Sequence, residues 1–259
     1  MTDLVPLLVE VTGIGQAALW TAFLVFLRVG AAMAVLPAFG EQSVPQRVRL
    51  ALAIAFTAVV APAVADRVAA TADAGVTALA SEVVAGLAVG IGLRLFVHAL
   101  QIAGAMAAQA TTLSQVFGGL APEPQPAIAN LLIVSGLALA VMAGLHVRAA
   151  ELLILSYDVL PAGRLPAAGD LADWGLHRIT RAFSLAFSLA APFVIASLIY
   201  NVALGVINRA MPLLPVSFVG APALTLGSLA LLAIVTPLAL AVWMQALSGF
   251  LDAPFTVIP

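Results

Sequence analysis

Two long stretches of this sequence, Ala182–Asn208 and Ala210–Leu251, contain no Asp, Glu, Lys or Arg. A segment that crosses the hydrocarbon core of a membrane needs about 20 apolar residues, and both stretches are longer than that. Of all 259 residues, 63% are hydrophobic and 8% are charged. In soluble domains about a quarter of the residues are charged. Because so few charges cannot build a water-exposed surface, the sequence predicts an integral membrane protein.

The charge and cysteine content exclude several other classes of protein. All ten cationic residues are Arg, they form no dense basic run, and the net charge is −2, so nucleic-acid binding is not supported. Cysteine is absent, which excludes disulfides and cysteine-ligated metals. His98, His146 and His177 are too far apart in sequence to show metal-ligand spacing. The first residues lack the cationic start of a cleaved signal peptide, so we expect the N-terminus to be retained.

Apolar segments define the predicted helices. Pro124–Val147 is the clearest single span, whereas Ala149–Leu160 is too short to cross a membrane alone. The main hydrophilic connectors are Glu41–Arg49 and the polar connector 161–181, and their Arg residues predict a cytoplasmic location for both. The other predicted segments are Val11–Leu27 with its continuation past Arg28 to Gly40, Leu50–Ala65, Ala74–Leu93 with its continuation past Arg94 to about Phe117, Ala182–Asn208 and Ala210–Leu251.

Three prolines, Pro62, Pro192 and Pro237, lie inside these apolar segments. A proline removes one backbone donor and clashes with the preceding turn, so each is expected to kink or end a helix. An ordinary kink and a functional break are equally compatible with this pattern. Several segments are therefore predicted either as single spans or as hairpins of broken helices.

The sequence contains no catalytic motif, so it predicts neither an enzyme nor a bound cofactor or metal. Glu82 is the acidic residue most in need of an explanation, because no cation lies three or four residues from it on the same helical face. A carboxylate inside a membrane is costly unless it is paired. Its partner is predicted to be Arg28 or Arg94. A position near the interface, at the start of a helix, is an equally open interpretation.

The stretch Ala110–Ile128 differs from the apolar segments on either side of it. It is polar to neutral and contains Gly118-Gly119 followed by three prolines. Proline does not continue a helix, and paired glycines permit uncommon backbone angles. Irregular backbone is not tolerated against lipid. This stretch is therefore predicted to be either an interfacial loop or a loop buried in a protein-lined cavity.

Three blocks of the sequence together resemble the FliR family of flagellar export-gate proteins, which is related to the T subunit of injectisome type III secretion. The blocks are FLRVGAAMAVLPAFGEQSVPQRVRLALAIAF, GLHVRAAELLILSYDVLPAG and NVALGVINRAMPLLPVSFVGAPALTL. Their order and the total length suit that family. The sequence departs from the family pattern at Gly104-Ala105, where members often have Gly-Glu, and at Gly144-Leu145, where members have Asn-Gly before the His.

The resemblance implies an all-α, polytopic membrane protein whose proline-broken hairpins pack into a hetero-oligomeric export gate. It implies one FliR-like domain, 1–259, that forms the entry channel with FliP-like and FliQ-like subunits, beside an FlhB-like subunit, in the bacterial inner membrane at the flagellar basal body. Unfolded flagellar subunits are the implied substrates in transit. By position, the family's plug loop corresponds to residues 110–126.

The resemblance also assigns roles to individual residues. Apolar side chains can close a pore by dewetting a constriction, so the loop and its neighbourhood are expected to supply the seal. The predicted sealing residues are Met106, Leu113, Val116, Phe117, Gly118, Gly119 and Leu120. The predicted structural or assembly residues are Arg28, Pro37, Arg47, Arg49, Glu82, His146, Asn208, Arg209 and Pro212. Arg47 and Arg49 are expected in a tight turn that anchors the first hairpin, or as ordinary positive-inside residues.

A small polytopic permease that works without such partners is the alternative function. In that interpretation Glu82 and Arg28 face each other at mid-membrane, and Pro192 and Pro237 mark discontinuous helices. No internal inverted repeat is detectable in the sequence, which argues against this alternative.

Overall fold

A computed structural model describes residues 4–41, 43–69, 75–111, 127–211 and 216–255 of the chain. These residues form seven α-helices and no β-strand. The helices are α1 (Leu4–Val35), α2 (Gln46–Ala69), α3 (Gly75–Thr111), α4 (Ala127–Met142), α5 (Leu145–Val159), α6 (Ala168–Ala210) and α7 (Val216–Asp252). The predicted all-α class is confirmed.

Five of these helices contain a window that is long and apolar enough to cross a membrane. The windows are Ala18–Val35, Gln46–Ala69, Gly75–Ala110, Ala168–Ala210 and Leu226–Asp252. Helices α4 and α5 pass the same test only as a pair, which is bent by 74° at the break between them. The described chain therefore has five candidate spans, or six if the bent pair is one span, as expected of a polytopic membrane protein.

The predicted single span Pro124–Val147 is wrong at its C-terminal end. Helix α4 ends at Met142, and Gly144 has a left-handed backbone (φ 86, ψ 30) immediately before α5. Glycine adopts this conformation at little cost, so the chain turns there although the sequence stays apolar. The break between α4 and α5 therefore depends on the backbone conformation of Gly144, and a hydropathy profile contains no information about backbone conformation.

The polar connector 161–181 contains the start of a helix. Helix α6 begins at Ala168, with Asp170 in its first turn, where a carboxylate interacts favourably with the helix dipole. Helix α2 continues through Pro62 and helix α6 continues through Pro192, so neither proline ends a helix. Pro237 likewise lies within the bounds of α7. The idea of hairpins broken at prolines stays a prediction.

The chain divides into two compact units. Unit 1 consists of Met1–Arg94, Val141–Arg178 and Phe250–Pro259, and unit 2 consists of Leu95–Ala140 and Ile179–Gly249. Helix α3 therefore contributes its first part to unit 1 and its second part to unit 2.

In unit 1, α1 and α3 lie unusually close together because glycines of α3 face the backbone of α1. A Cβ added to Gly86 would lie 2.1 Å from the carbonyl oxygen of Arg28, and one added to Gly90 would lie 2.7 Å from that of Ala32. Small residues at such positions allow helices to approach closely in a membrane. On the α1 side of this contact, Arg28 and Ala32 are fully buried.

In unit 2, α3 packs against α4 through a similar contact. A Cβ on Gly104 would lie 2.3 Å from the Cα of Ala129. Trp243 of α7 is almost fully buried, and its indole N–H donates a 2.8 Å hydrogen bond to the carbonyl of Phe96. A buried indole needs such an acceptor, so this bond fixes the ring in the core of unit 2.

Candidate functional site

Three helices of unit 1 bring charged and polar side chains together in its core. Arg28 comes from the C-terminal part of α1, Glu82 from α3, and Ser156 and Tyr157 from the last turn of α5. The Arg28 Nε and Nη2 atoms donate to the two carboxylate oxygens of Glu82 at 2.8 and 3.0 Å. This is the bidentate geometry in which guanidinium and carboxylate bind each other most strongly. We call these four residues the buried ionic cluster.

The remaining polar atoms of the buried ionic cluster are also bonded. Arg28 Nη1 donates to Ser156 Oγ at 3.1 Å, and Nη2 donates to the carbonyl oxygen of Leu160 at 2.8 Å. The Tyr157 hydroxyl donates to Glu82 at 3.0 Å, and the Ser156 hydroxyl donates to the Leu153 carbonyl at 2.6 Å. The Arg28 guanidinium carbon also lies 3.5 Å from the centroid of the Tyr157 ring, a cation–π contact.

The buried ionic cluster is sealed from solvent. Arg28, Glu82 and Ser156 have no exposed surface, and Tyr157 is 4% exposed. A buried ion pair offsets its desolvation only if the geometry is good and the remaining donors and acceptors are satisfied, and this cluster meets both conditions. The arrangement is electrically neutral and closed, so it can hold α1, α3 and α5 together but offers no free group to a substrate.

The local sequence explains how these side chains meet. Gly86 lies one turn after Glu82 on α3, and its missing side chain allows the close approach to Arg28 on α1. Helix α5 ends at Val159, and Leu160 leaves the helix (φ −116, ψ 79), so its carbonyl is free to accept from Arg28. Helix-end carbonyls have no partner within the helix, and a guanidinium is a suitable donor for one.

Of the two predicted partners for Glu82, the structure selects Arg28. Arg94 instead forms an ion pair with Glu41, in the segment between α1 and α2. The sequence analysis did not single out Ser156, Tyr157 or Leu160. The sequence did contain a pattern that could have pointed to Ser156 and Tyr157. They are two consecutive polar residues at the end of an otherwise apolar segment, in LILSYDVL.

The other predicted assembly residues lie outside the buried ionic cluster. Pro37 is buried in the turn after α1, and Ala38 beside it has a left-handed backbone (φ 67). Arg47 and Arg49 lie in the first turn of α2 rather than in the preceding turn, and the carbonyl of Pro45 accepts from the N–H of Arg49. His146 is exposed in the first turn of α5, and Asn208 and Arg209 are exposed at the end of α6.

The predicted seal falls almost wholly outside the described residues, as does Pro212. This holds for Leu113, Val116, Phe117, Gly118, Gly119 and Leu120. Met106 is described and is half-buried near the end of α3. The assignment of a plug to residues 110–126 stays a prediction.

A second set of polar contacts in unit 1 fastens the end of α7 and the residues after it. The Trp174 indole and the Arg178 guanidinium both donate to the carbonyl of Pro254, at 3.1 and 2.8 Å. Arg148 of α5 forms an ion pair with Asp252. A cavity of about 480 Å³ lies beside these contacts, and its lining includes Leu160, Asp170 and Trp174. Among the described residues, no group of His, Asp and Glu could hold a metal ion.

Long apolar helices, glycine-mediated helix contacts and a closed ionic cluster together define a polytopic α-helical membrane protein. The model of the family "Bacterial export proteins, family 1" matches residues 19–250, and the chain belongs to this family.

Named relatives cover most of the chain. It is 33% identical over 238 residues to the flagellar biosynthetic protein FliR of Caulobacter vibrioides, which covers 90% of this chain and 95% of the relative. It is 29% identical over 219 residues to the FliR protein of Escherichia coli, covering 82% of each. It is 27% identical over 212 residues to that of Bacillus subtilis, covering 79% of this chain and 82% of the relative.

Proposed function

We propose that this chain is a non-enzymatic subunit of the flagellar type III export gate in the bacterial inner membrane, at the flagellar basal body. The observation that carries the proposal is the similarity to flagellar FliR proteins over nearly the whole chain, 90% in the case of the Caulobacter relative. Membership of the export-protein family supports a role in flagellar export. We infer that the chain builds part of the entry channel together with FliP-like and FliQ-like subunits, beside an FlhB-like subunit.

The surfaces of α6 and α7 favour assembly with other helices. Only 22% of the apolar window of α6 and 17% of that of α7 is buried within the chain. The exposed part of α6 includes two amides, Asn201 and Asn208, among apolar residues. An amide that faces hydrocarbon is costly, whereas one that faces a neighbouring helix can form a hydrogen bond. Within α6, Asn201 donates one hydrogen bond, to Ser197 Oγ at 3.2 Å, and contact with partner subunits would supply the further hydrogen bonds that lipid cannot.

We further propose that residues 110–126 form a plug in the closed channel, through which unfolded flagellar subunits pass when it opens. The supporting argument is chemical. The segment begins at the end of α3 and carries Leu113, Val116, Phe117 and Leu120, which could exclude water and ions from a constriction. Gly118-Gly119 would let so short a segment change conformation. Met106, near the end of α3, would extend the same apolar seal.

Deletion of Ser114–Ala121 tests the plug. We expect the complex to assemble, because the deletion leaves every described helix intact. We expect the cells to leak ions, seen as a lowered membrane potential in a dye assay, because the apolar seal is removed. Phe117→Leu is the matched control: it keeps an apolar side chain at the same position and should leave the potential unchanged. An unchanged potential in the deletion strain, with normal amounts of assembled complex, would exclude the plug assignment.

One observation agrees with the permease alternative: Arg28 and Glu82 face each other, as that interpretation requires. However, the pair is saturated with hydrogen bonds and has no exposed surface, so it lacks the open side that a transported ion or solute needs. The gate therefore remains the better interpretation, and variants of this pair separate the two functions, as described in the Discussion.

A further inference from the structure

A groove in unit 1 lies between the C-terminal part of α1 and the N-terminal part of α2, and Val83 of α3 also lines it. Its volume is about 520 Å³. Gln46 and Arg49, in the first turn of α2, are the polar residues among those that line it. Much of the remaining lining consists of small residues, namely Gly30, Ala31, Ala34 and Ala53. We call this space the α1–α2 groove.

Arg49 brings a charge without a counter-ion into the α1–α2 groove. Its side chain is half-buried, and its Nε atom is buried and has no hydrogen-bond partner among the described residues. None of the ion pairs that the described residues form with each other includes Arg49. A buried guanidinium nitrogen without an acceptor is costly, so the groove is complementary to an anionic group.

Other arginines of unit 1 obtain their counter-ions from the chain itself. The pairs are Arg28 with Glu82, Arg67 with Asp158, Arg94 with Glu41, and Arg148 with Glu151 and Asp252. The carboxylate in the segment just before α2 is therefore already engaged. Asp66, the acidic residue of α2 itself, lies about 25 Å from Arg49 along the helix at 1.5 Å per residue. A counter-ion for Arg49 would therefore come from outside the described residues.

The small residues of the α1–α2 groove favour a helix as the source of that counter-ion. A helix face without large side chains allows another helix to approach closely, and Gly86 of α3 already receives the backbone of Arg28 in this way. Gly30 of α1 is different, because a Cβ added there would meet only the Phe26 ring, at 4.0 Å. Helix α2 also lacks neighbours, since only 22% of its apolar window is buried within the chain.

We propose that the α1–α2 groove is a docking site for a helix of another subunit of the export gate, which supplies an Asp or Glu side chain to Arg49. A carboxylate can accept two parallel hydrogen bonds from a guanidinium, as Glu82 does from Arg28. Gln46 lies three residues before Arg49, on the same face of α2, and can donate a further bond. The inference rests on the proposed function, because the partner is a subunit of the gate.

Substitution of Arg49 tests the charge. Arg49→Gln should lower the amount of other gate subunits that copurify with the full-length chain about tenfold, because the partner's carboxylate is left buried without its cation. Arg49→Lys keeps the charge but not the forked geometry, and it should give an intermediate loss. The measurement is intact-complex mass spectrometry of the assembly purified from native membranes in mild detergent.

Arg47→Gln is the matched control. It removes the same charge two residues away, but Arg47 is exposed and does not line the groove. We expect it to change the yield of the assembly by less than about twofold, since an exposed charge contributes little to a specific contact. Equal losses in the Arg47→Gln and Arg49→Gln variants, or no loss in the Arg49→Gln variant, would overturn the proposal.

A photo-crosslinker in place of Leu50 identifies what occupies the groove. Leu50 lines the groove and is 52% exposed, so a reactive group there reaches its occupant. We expect a product that joins this chain to another gate subunit, through an apolar peptide that contains Asp or Glu. A product that carries the mass of a phospholipid, or one that joins this chain to itself or to a second copy, would contradict the proposal.

The acidic residue in the crosslinked peptide then allows a double-mutant cycle. Its replacement by the matching amide should lower the yield of the assembly as Arg49→Gln does. The two changes together should give more assembly than either alone, because no unpaired charge remains. Losses that simply multiply in the double variant would show that the two groups do not interact, and the proposed pairing would be wrong.

The same experiments separate a failure of the docking site from a failure of the proposed function. If the unsubstituted chain purifies without other gate subunits, the proposed function is wrong and the docking site with it. If the unsubstituted chain purifies with them and the Arg49→Gln variant assembles equally well, only the docking site is wrong.

Discussion

At the residue scale, the pairing of Arg28 with Glu82 joins α1 to α3 inside unit 1. Neither side chain has any exposed surface, and each is the principal partner of the other. Removing one member of such a pair leaves a buried charge without compensation, which is much more costly than removing both members. The consequences of single and double substitutions therefore differ in a predictable way.

Glu82→Ala should destabilise the protein by about 3–5 kcal/mol, because it leaves the Arg28 guanidinium buried without its carboxylate. The double variant Arg28→Met with Glu82→Leu should recover most of that loss, because no buried charge remains. Thermal unfolding of the purified complex and the amount of chain in the membrane are the measurements. If the double variant is stable and still exports flagellar subunits, the pair is structural. If it is stable but all transport is lost, the result favours the permease function.

Sequence reasoning reached part of this cluster. An unpaired acidic residue in an apolar segment, Glu82, predicts a buried partner, and Arg28 was one of two arginines in suitable segments. Tyr157 and Ser156 could not be predicted in the same way. Their roles depend on α5 ending beside Arg28, which is a property of the packing of three helices and not of any local pattern.

At the element scale, the bend between α4 and α5 depends on one backbone conformation. Gly144 is in the left-handed region, and a Cβ added there would meet nothing within 4 Å. Any effect of a substitution at this position is therefore conformational and does not come from a clash. The sequence did not reveal the bend, because the apolar composition of Pro124–Val147 is continuous and a glycine in an apolar helix has several other possible roles.

Gly144→Ala should destabilise the protein by about 1–2 kcal/mol, because an alanine resists the left-handed conformation. Gly144→Asn should cost less, since asparagine visits this region more readily. Gly175→Ala is the control: this glycine lies in α6, its backbone is not left-handed, and a Cβ would meet nothing within 4 Å. The measurement is the unfolding temperature of each of the three variants, compared with that of the unsubstituted protein. Equal stability of Gly144→Ala and the unsubstituted protein would refute the role assigned to Gly144.

Hydropathy predicted most helices well because the physical requirement behind it is simple. A lipid environment demands long apolar helices, and α2, α3, α6 and α7 each overlap a predicted apolar segment extensively. The helix starts were less predictable. Helix α6 begins inside the polar connector, at Ala168. Polar residues such as Asp170 and Asp173 are compatible with the first turns of a helix that lie outside the hydrocarbon core of a membrane, so hydropathy alone does not show where this helix starts.

At the scale of the whole molecule, helices that are distant in sequence share a compact unit. Unit 1 combines α1, α2, α5 and parts of α3, α6 and α7, while unit 2 takes the remainder. Periodicity and hydropathy describe each segment separately, so they could not assign helices to units. The functional prediction came instead from the resemblance to an export family, because that resemblance depends on the order of three separated blocks across most of the chain.

The central claim is that this chain functions as one subunit of a hetero-oligomeric export gate. The most direct test is to purify the complex that contains it from native membranes in mild detergent and to determine its composition by intact-complex mass spectrometry. We predict a discrete assembly that also contains FliP-like and FliQ-like chains. A free monomer, or an oligomer of this chain alone, would contradict the claim and favour the permease.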